Sequence, residues 1–116
     1  MILFALLGCV TAQNYYEKSV AVGCARLEEC DKGNFEAAYS DAEDCRETNV
    51  DNTKELVDCY VEHCDFDAGA ANECLAAMRT ASCEDISNGS YVNDCDDVYT
   101  DCDESSLTEC LLNEVF

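Results

Sequence analysis

Residues 14–30, NYYEKSVAVGCARLEEC, set Tyr16, Val20, Cys24, Leu27 and Cys30 at steps of three or four. That spacing draws one apolar stripe along a helix, and two of its members are cysteines. The habit recurs down the chain. Leu56, Cys59, Tyr60, His63 and Cys64 share a helical face behind the capping pair Asn52 and Glu55. Ala71, Cys74, Leu75 and Met78 share another behind a cap at Asp67. Inward-facing cysteines on neighbouring helices can meet the Cα separation of roughly 4.4–6.8 Å that a disulfide requires. The expected fold is therefore all-α: a compact bundle of five or six short helices cross-linked by disulfides.

The remaining segments fill in that bundle. Asp31-Lys32-Gly33-Asn34 is expected to end the first helix, with Gly33 suited to the left-handed C-cap. Ser40 and Glu43 form a capping box that opens a second helix holding Cys45. Ser87-Asn88-Gly89-Ser90 reads as a loop, so the glycosylation sequon at Asn88 is taken as a turn. A fifth short helix is expected to carry Cys95, Val98, Tyr99 and Cys102. A sixth opens at Ser106 and Glu109 and shows Leu107, Cys110 and Leu111. No stretch alternates as a half-buried strand does, and no proline interrupts the chain.

Composition says what must hold such a bundle together. The 116 residues include 11 cysteines, 26 Asp and Glu, and 6 Lys and Arg, for a net charge of −20. Residues 13–116 contain only eighteen Leu, Ile, Val and Phe, below the roughly 20 % at which a highly charged chain is expected to be disordered. Cross-links offset that deficit, since closing a loop of about 15 residues removes unfolded-state entropy worth roughly 3 kcal/mol. Cys9 belongs to an apolar leader, and the other ten cysteines are the disulfide candidates: Cys24, Cys30, Cys45, Cys59, Cys64, Cys74, Cys83, Cys95, Cys102 and Cys110. An even set behind a leader reads as an exported protein. Helix–loop–helix geometry makes Cys30–Cys45 and Cys83–Cys95 expected local staples, with Cys24–Cys74 tying the first helix to the fourth. Cys59, Cys64, Cys102 and Cys110 stay unassigned.

Residues 1–12, MILFALLGCVTA, are expected to be a signal peptide, being too short to span a bilayer as a helix. Residues 13–116 then form one small domain. Two processing sites fit. Leu6-Leu7-Gly8 before Cys9 is similar to a bacterial lipobox and would leave Cys9 as a lipid-modified N-terminus. Val10-Thr11-Ala12 satisfies the small-residue rule and would release a chain starting at Gln13. The favoured reading is lipidation at Cys9.

A wider resemblance rests on Leu6-Leu7-Gly8-Cys9, on Cys24 through Cys30, and on Tyr39 through Cys45. It extends over Phe66-Asp67, Asn72 through Leu75, Ala76 through Cys83, and Cys95 through Val98. In order and spacing these pieces resemble the small, acidic, cysteine-rich lipoproteins of myxobacteria and related bacteria. The resemblance implies export and a helical, disulfide-bonded body, and it supplies no active site. Cys59, Cys64, Cys102 and Cys110 are extra to that pattern.

Few residues offer catalytic or metal chemistry. His63, the one histidine, lies in Cys59-Tyr60-Val61-Glu62-His63-Cys64-Asp65, which is partly similar to the His-Asp helix of secreted phospholipases A2. Cys64 stands where the aspartate should follow, and no glycine-rich calcium loop precedes. Cys59 and Cys64 have the outermost spacing of a zinc pair, with no second pair to match. No C-x-x-C redox motif occurs. Asp94, Asp96, Asp97, Asp101, Asp103 and Glu104 are weak candidates for loose calcium binding, though they do not follow the EF-hand pattern. No other cofactor is expected.

The acidity excludes more than it assigns. Phosphate backbones and anionic headgroups are repelled, so nucleic acid is not a partner and a lipid anchor is the one membrane link. The expectation is a non-enzymatic exported module, lipid-anchored in the envelope or secreted, that meets a protein or other cationic partner.

Overall fold

The computed structural model describes residues 10–114. Thr11 and Asn14 close a turn at its start. The Thr11 N–H donates to Asn14 Oδ1 at 2.8 Å, and the Asn14 N–H donates to Thr11 Oγ1 at 3.1 Å. From this turn runs α1 (Tyr15–Cys30), which buries Tyr15, Val20 and Cys24.

The expected helix end at Cys30 is where α1 stops, but Gly33 is not its left-handed cap. Asp31 forms the junction, and Gly33 falls inside a second short helix, α2 (Lys32–Ala38). That helix delivers Phe35, 1 % exposed, to the core. The two helices expected to open at Ser40 and Asn52 do not form separately. They are one helix, α3 (Ala42–His63), capped by Asp41, whose side chain accepts from the Asp44 N–H. No Gly or Pro lies between residues 42 and 63, so nothing interrupts its hydrogen bonds, and Asn52 is an interior residue.

The fourth helix matches its reading: α4 (Ala68–Thr80) has its N-cap at Asp67 and buries Ala71, Cys74, Leu75 and Met78. Beyond it, α5 (Cys83–Asn88) is capped by Ser82 and ends at Gly89, whose φ of 75° is the left-handed conformation that glycine adopts without strain. Asn88 Oδ1 accepts from the Ser90 N–H at 2.9 Å and from the Ser90 hydroxyl; of the expected loop Ser87–Ser90 only Gly89 is a turn, since Ser87 and Asn88 end α5 and Ser90 opens the next helix. A 3₁₀ helix (Ser90–Cys95) follows.

The helix expected over Cys95–Cys102 does not form. Val98 is buried there, and β2 (Tyr99–Thr100) pairs antiparallel with β1 (Asp65–Phe66), placing Asp65 opposite Thr100 and Phe66 opposite Tyr99. The last helix, α6 (Glu104–Glu114), starts earlier than the Ser106 box implied, because Asp103 Oδ1 accepts from the Ser106 N–H.

Around α1 these elements form two cores. Antiparallel α3 lies on one side, where Val20, Cys24, Phe35 and Cys45 cluster. On the other side α4 runs the same way as α1, and Tyr15, Ala71, Cys74, Leu75, Met78 and Val98 cluster with Phe66, Tyr91 and Tyr99 against them. Helix α6 packs on α3, outside both clusters. Among the described residues no helix is long and apolar enough to cross a membrane.

All ten cysteines of the body are paired: Cys24–Cys45, Cys30–Cys83, Cys59–Cys110, Cys64–Cys102 and Cys74–Cys95. None of the expected staples Cys30–Cys45, Cys83–Cys95 and Cys24–Cys74 is present. The α2 excursion lets α3 return antiparallel, so Cys45 meets Cys24, with Cα atoms 6.0 Å apart. The end of α1 lies beside the end of α4 instead, where the Arg26 guanidinium donates to the Ala81 carbonyl and Cys30 reaches Cys83.

Candidate functional site

His63 closes α3 and is half-buried, with Nε2 3.9 Å from Glu62 Oε2. Its carbonyl accepts from the Asp103 N–H at 2.9 Å, which locks the start of α6 to the end of α3. Asp103 in turn caps α6, accepting from the Ser106 hydroxyl at 3.0 Å. Hydrogen bonds from the Ser106 N–H and hydroxyl hold its carboxyl below the ordinary carboxylate range, and nearby His63 adds to that lowering. A shallow recess beside them is lined by His63, Ser106, Glu109, Cys110 and Asn113.

A serine, a histidine and carboxylates thus meet at one place, and the hydrogen bonds define what they do. The Ser106 hydroxyl is committed to Asp103 as part of a helix cap. Among the described residues no hydrogen bond joins it to His63, the contact that a serine nucleophile makes with its base. Glu62, His63 and Cys110 bring one potential ligand atom each within 4.8 Å of one another. Cys110 Sγ is bonded to Cys59, however, and a disulfide sulfur is no thiolate. A carboxylate and an imidazole remain, short of the three or four ligands of a zinc site.

The carboxylates from the acidic third of the chain are not gathered. Asp94 lies in the 3₁₀ helix, and Asp96 and Asp97 lie in the turn before buried Val98. Asp101 follows β2 with a φ of 50°, Asp103 caps α6, and Glu104 begins it. Among the described residues no three of these six carboxylates fall within the 4.8 Å that brings Glu62, His63 and Cys110 together. Cys9 lies outside the described residues.

The end of the molecule built by α3 and α6 was the least legible part of the sequence. Helical spacing marks Leu107, Cys110 and Leu111 as its inner stripe and leaves Leu112 off it. The structure leaves Leu112 60 % exposed, at the edge of a shallow recess that also includes Glu104, Ser105, Thr108, Glu109 and Asn113. Glu55, Asp58 and Glu62 of α3 line a second recess together with Cys59 and Cys110. Its one sequence signal was the absence of any Lys or Arg after Arg79.

Elsewhere the polar groups are structural. Tyr15 places its hydroxyl 3.0 Å from Cys74 Sγ, and Tyr99 donates to the Ala12 carbonyl at 2.9 Å. Burial raises the pKa of both tyrosines, with Tyr91 and Tyr15 respectively as the second cause. No family model, curated protein or solved structure matches this chain.

Proposed function

We propose that this protein is an exported, disulfide-stapled helical module that acts by binding, tethered by a lipid on Cys9, with its acidic surface turned to a cationic partner. The observation that carries the reading is that every cysteine from Cys24 to Cys110 is spent on a cross-link. Five disulfides belong to an oxidising, extracytoplasmic compartment. A rigid scaffold with a charge of −20 favours encounter with a positively charged partner. The resemblance to small cysteine-rich bacterial lipoproteins points the same way.

The first described residues favour processing before Cys9. Val10 packs against the core cluster around Tyr15, Thr11 exchanges hydrogen bonds with Asn14, and the Ala12 carbonyl accepts from Tyr99. Cleavage after Ala12 would discard all three contacts, whereas cleavage before Cys9 keeps them.

The intact mass of the native protein tests both parts. The expected mass is that of a chain starting at a diacylated Cys9 and lacking the two hydrogens of each of five disulfides. A chain starting at Gln13 defeats the tether. Turnover of lipid, peptide or glycan by the oxidised protein, lost on His63→Ala, defeats the binding reading.

A further inference from the structure

We infer that the outward face of α6 is a docking surface for a cationic amphipathic helix, an inference that rests on the reading of a cationic partner and gives it a location. Helix α6 has no buried residue among its described side chains, and it packs on α3 alone through substantial contact. Leu112 is the large hydrophobic side chain left exposed among the described residues. Ser105, Thr108 and Leu112 follow one another at steps of three and four along that face. Two small residues beneath an apolar knob let another helix approach closely, in the manner of a helix laid into a groove.

Charge complementarity selects the occupant. Glu104 and Glu109 line the same recess as Leu112, and Glu55, Asp58 and Glu62 of α3 line another beside Cys110 of α6. No Lys or Arg follows Arg79 to balance them. A second copy of the chain would bring another −20 of charge to the same place, and the apolar residues 1–8 carry no charged side chain to meet these carboxylates. A helix with leucines on one face and lysines or arginines along its flanks satisfies both the knob and its acidic border.

The test uses the full oxidised protein and three synthetic peptides of equal charge. One has leucines and lysines at helical spacing, one is its scramble, and one replaces the leucines with serines. Fluorescence anisotropy at low salt should show the helical peptide binding best. Leu112→Ser, whose site is exposed and so spares the fold, should weaken it about fivefold or more. Glu104→Gln with Glu109→Gln should weaken it about fivefold and flatten its salt dependence. Asp94→Asn with Asp96→Asn, on a different part of the surface, should stay within about twofold of the parent. Equal binding by the serine peptide, or no loss with Leu112→Ser, overturns the α6 surface while leaving a cationic partner standing. Failure of all three peptides to bind overturns the cationic-partner reading and this inference together.

Discussion

Around α1, Phe35, Leu75 and Val98 sit almost wholly out of water, and the disulfides Cys24–Cys45 and Cys74–Cys95 lie in or beside the same clusters. At the α6 end, Leu107 and Leu111 are half-exposed, Leu112 is exposed, and two disulfides fasten the helix to α3 and its flank. One region joins covalent bonds to an apolar core, while the other relies on covalent bonds and a helix cap. An 11-residue helix is marginal by itself in water, so the cross-links decide whether α6 persists.

Removing those cross-links should have the largest effect and should fall unevenly. Replacing Cys59, Cys64, Cys102 and Cys110 by serine deletes two links spanning 51 and 38 residues. Chain-entropy reasoning gives each about 4 kcal/mol. Hydrogen exchange should then show α6 amides unprotected while α1 and α4 still exchange slowly. Equal loss of protection in all three helices would erase the distinction between the regions.

Phe35→Ala probes the other end. The side chain is 1 % exposed between α1 and α3, so its loss should cost about 3–5 kcal/mol, read as a lower urea midpoint. With the disulfides intact, α6 should keep its position on α3. A midpoint unchanged by the substitution would mean that cross-links alone hold the α1 region.

The smallest effect sharpens the comparison by pH. Asp103 has a folded pKa below the ordinary carboxylate value of about 4. Its contribution to the α6 cap is present above that value and is lost as pH falls through the folded pKa. Tyr15 and Tyr99 are raised instead, so their contribution is present below about pH 10 and is lost as pH rises beyond it. Acid should therefore loosen α6 first, with Asp103→Asn removing that response. Alkali should act first on the aromatic cluster, seen in tyrosine absorbance. The reverse order would contradict both assignments.

Helix class, the cap at Asp67, and the inward stripes of α1 and α4 could be read from residue spacing, because they depend on neighbours within a few positions. The use of cysteine in place of a large core was equally legible, from the scarcity of aliphatics beside an excess of charge. Whether Asn52 starts a helix or lies inside one was not, since capping residues occur at both kinds of position and only the unbroken backbone ladder decides.

The pairing of the cysteines was beyond local reading altogether. Cys24 meets Cys45 because α2 folds Phe35 beneath the turn, and Cys30 meets Cys83 because α4 runs beside α1 in the same direction. Spacing put Cys24 and Cys30 on the apolar stripe of α1, whereas the order in which helices stack chose their partners, and Cys83 meets Cys30 from an exposed position. The same stacking left Leu112 uncovered among carboxylates. A helix's own periodicity determines which side is apolar, and only the neighbours that arrive determine whether that side is covered.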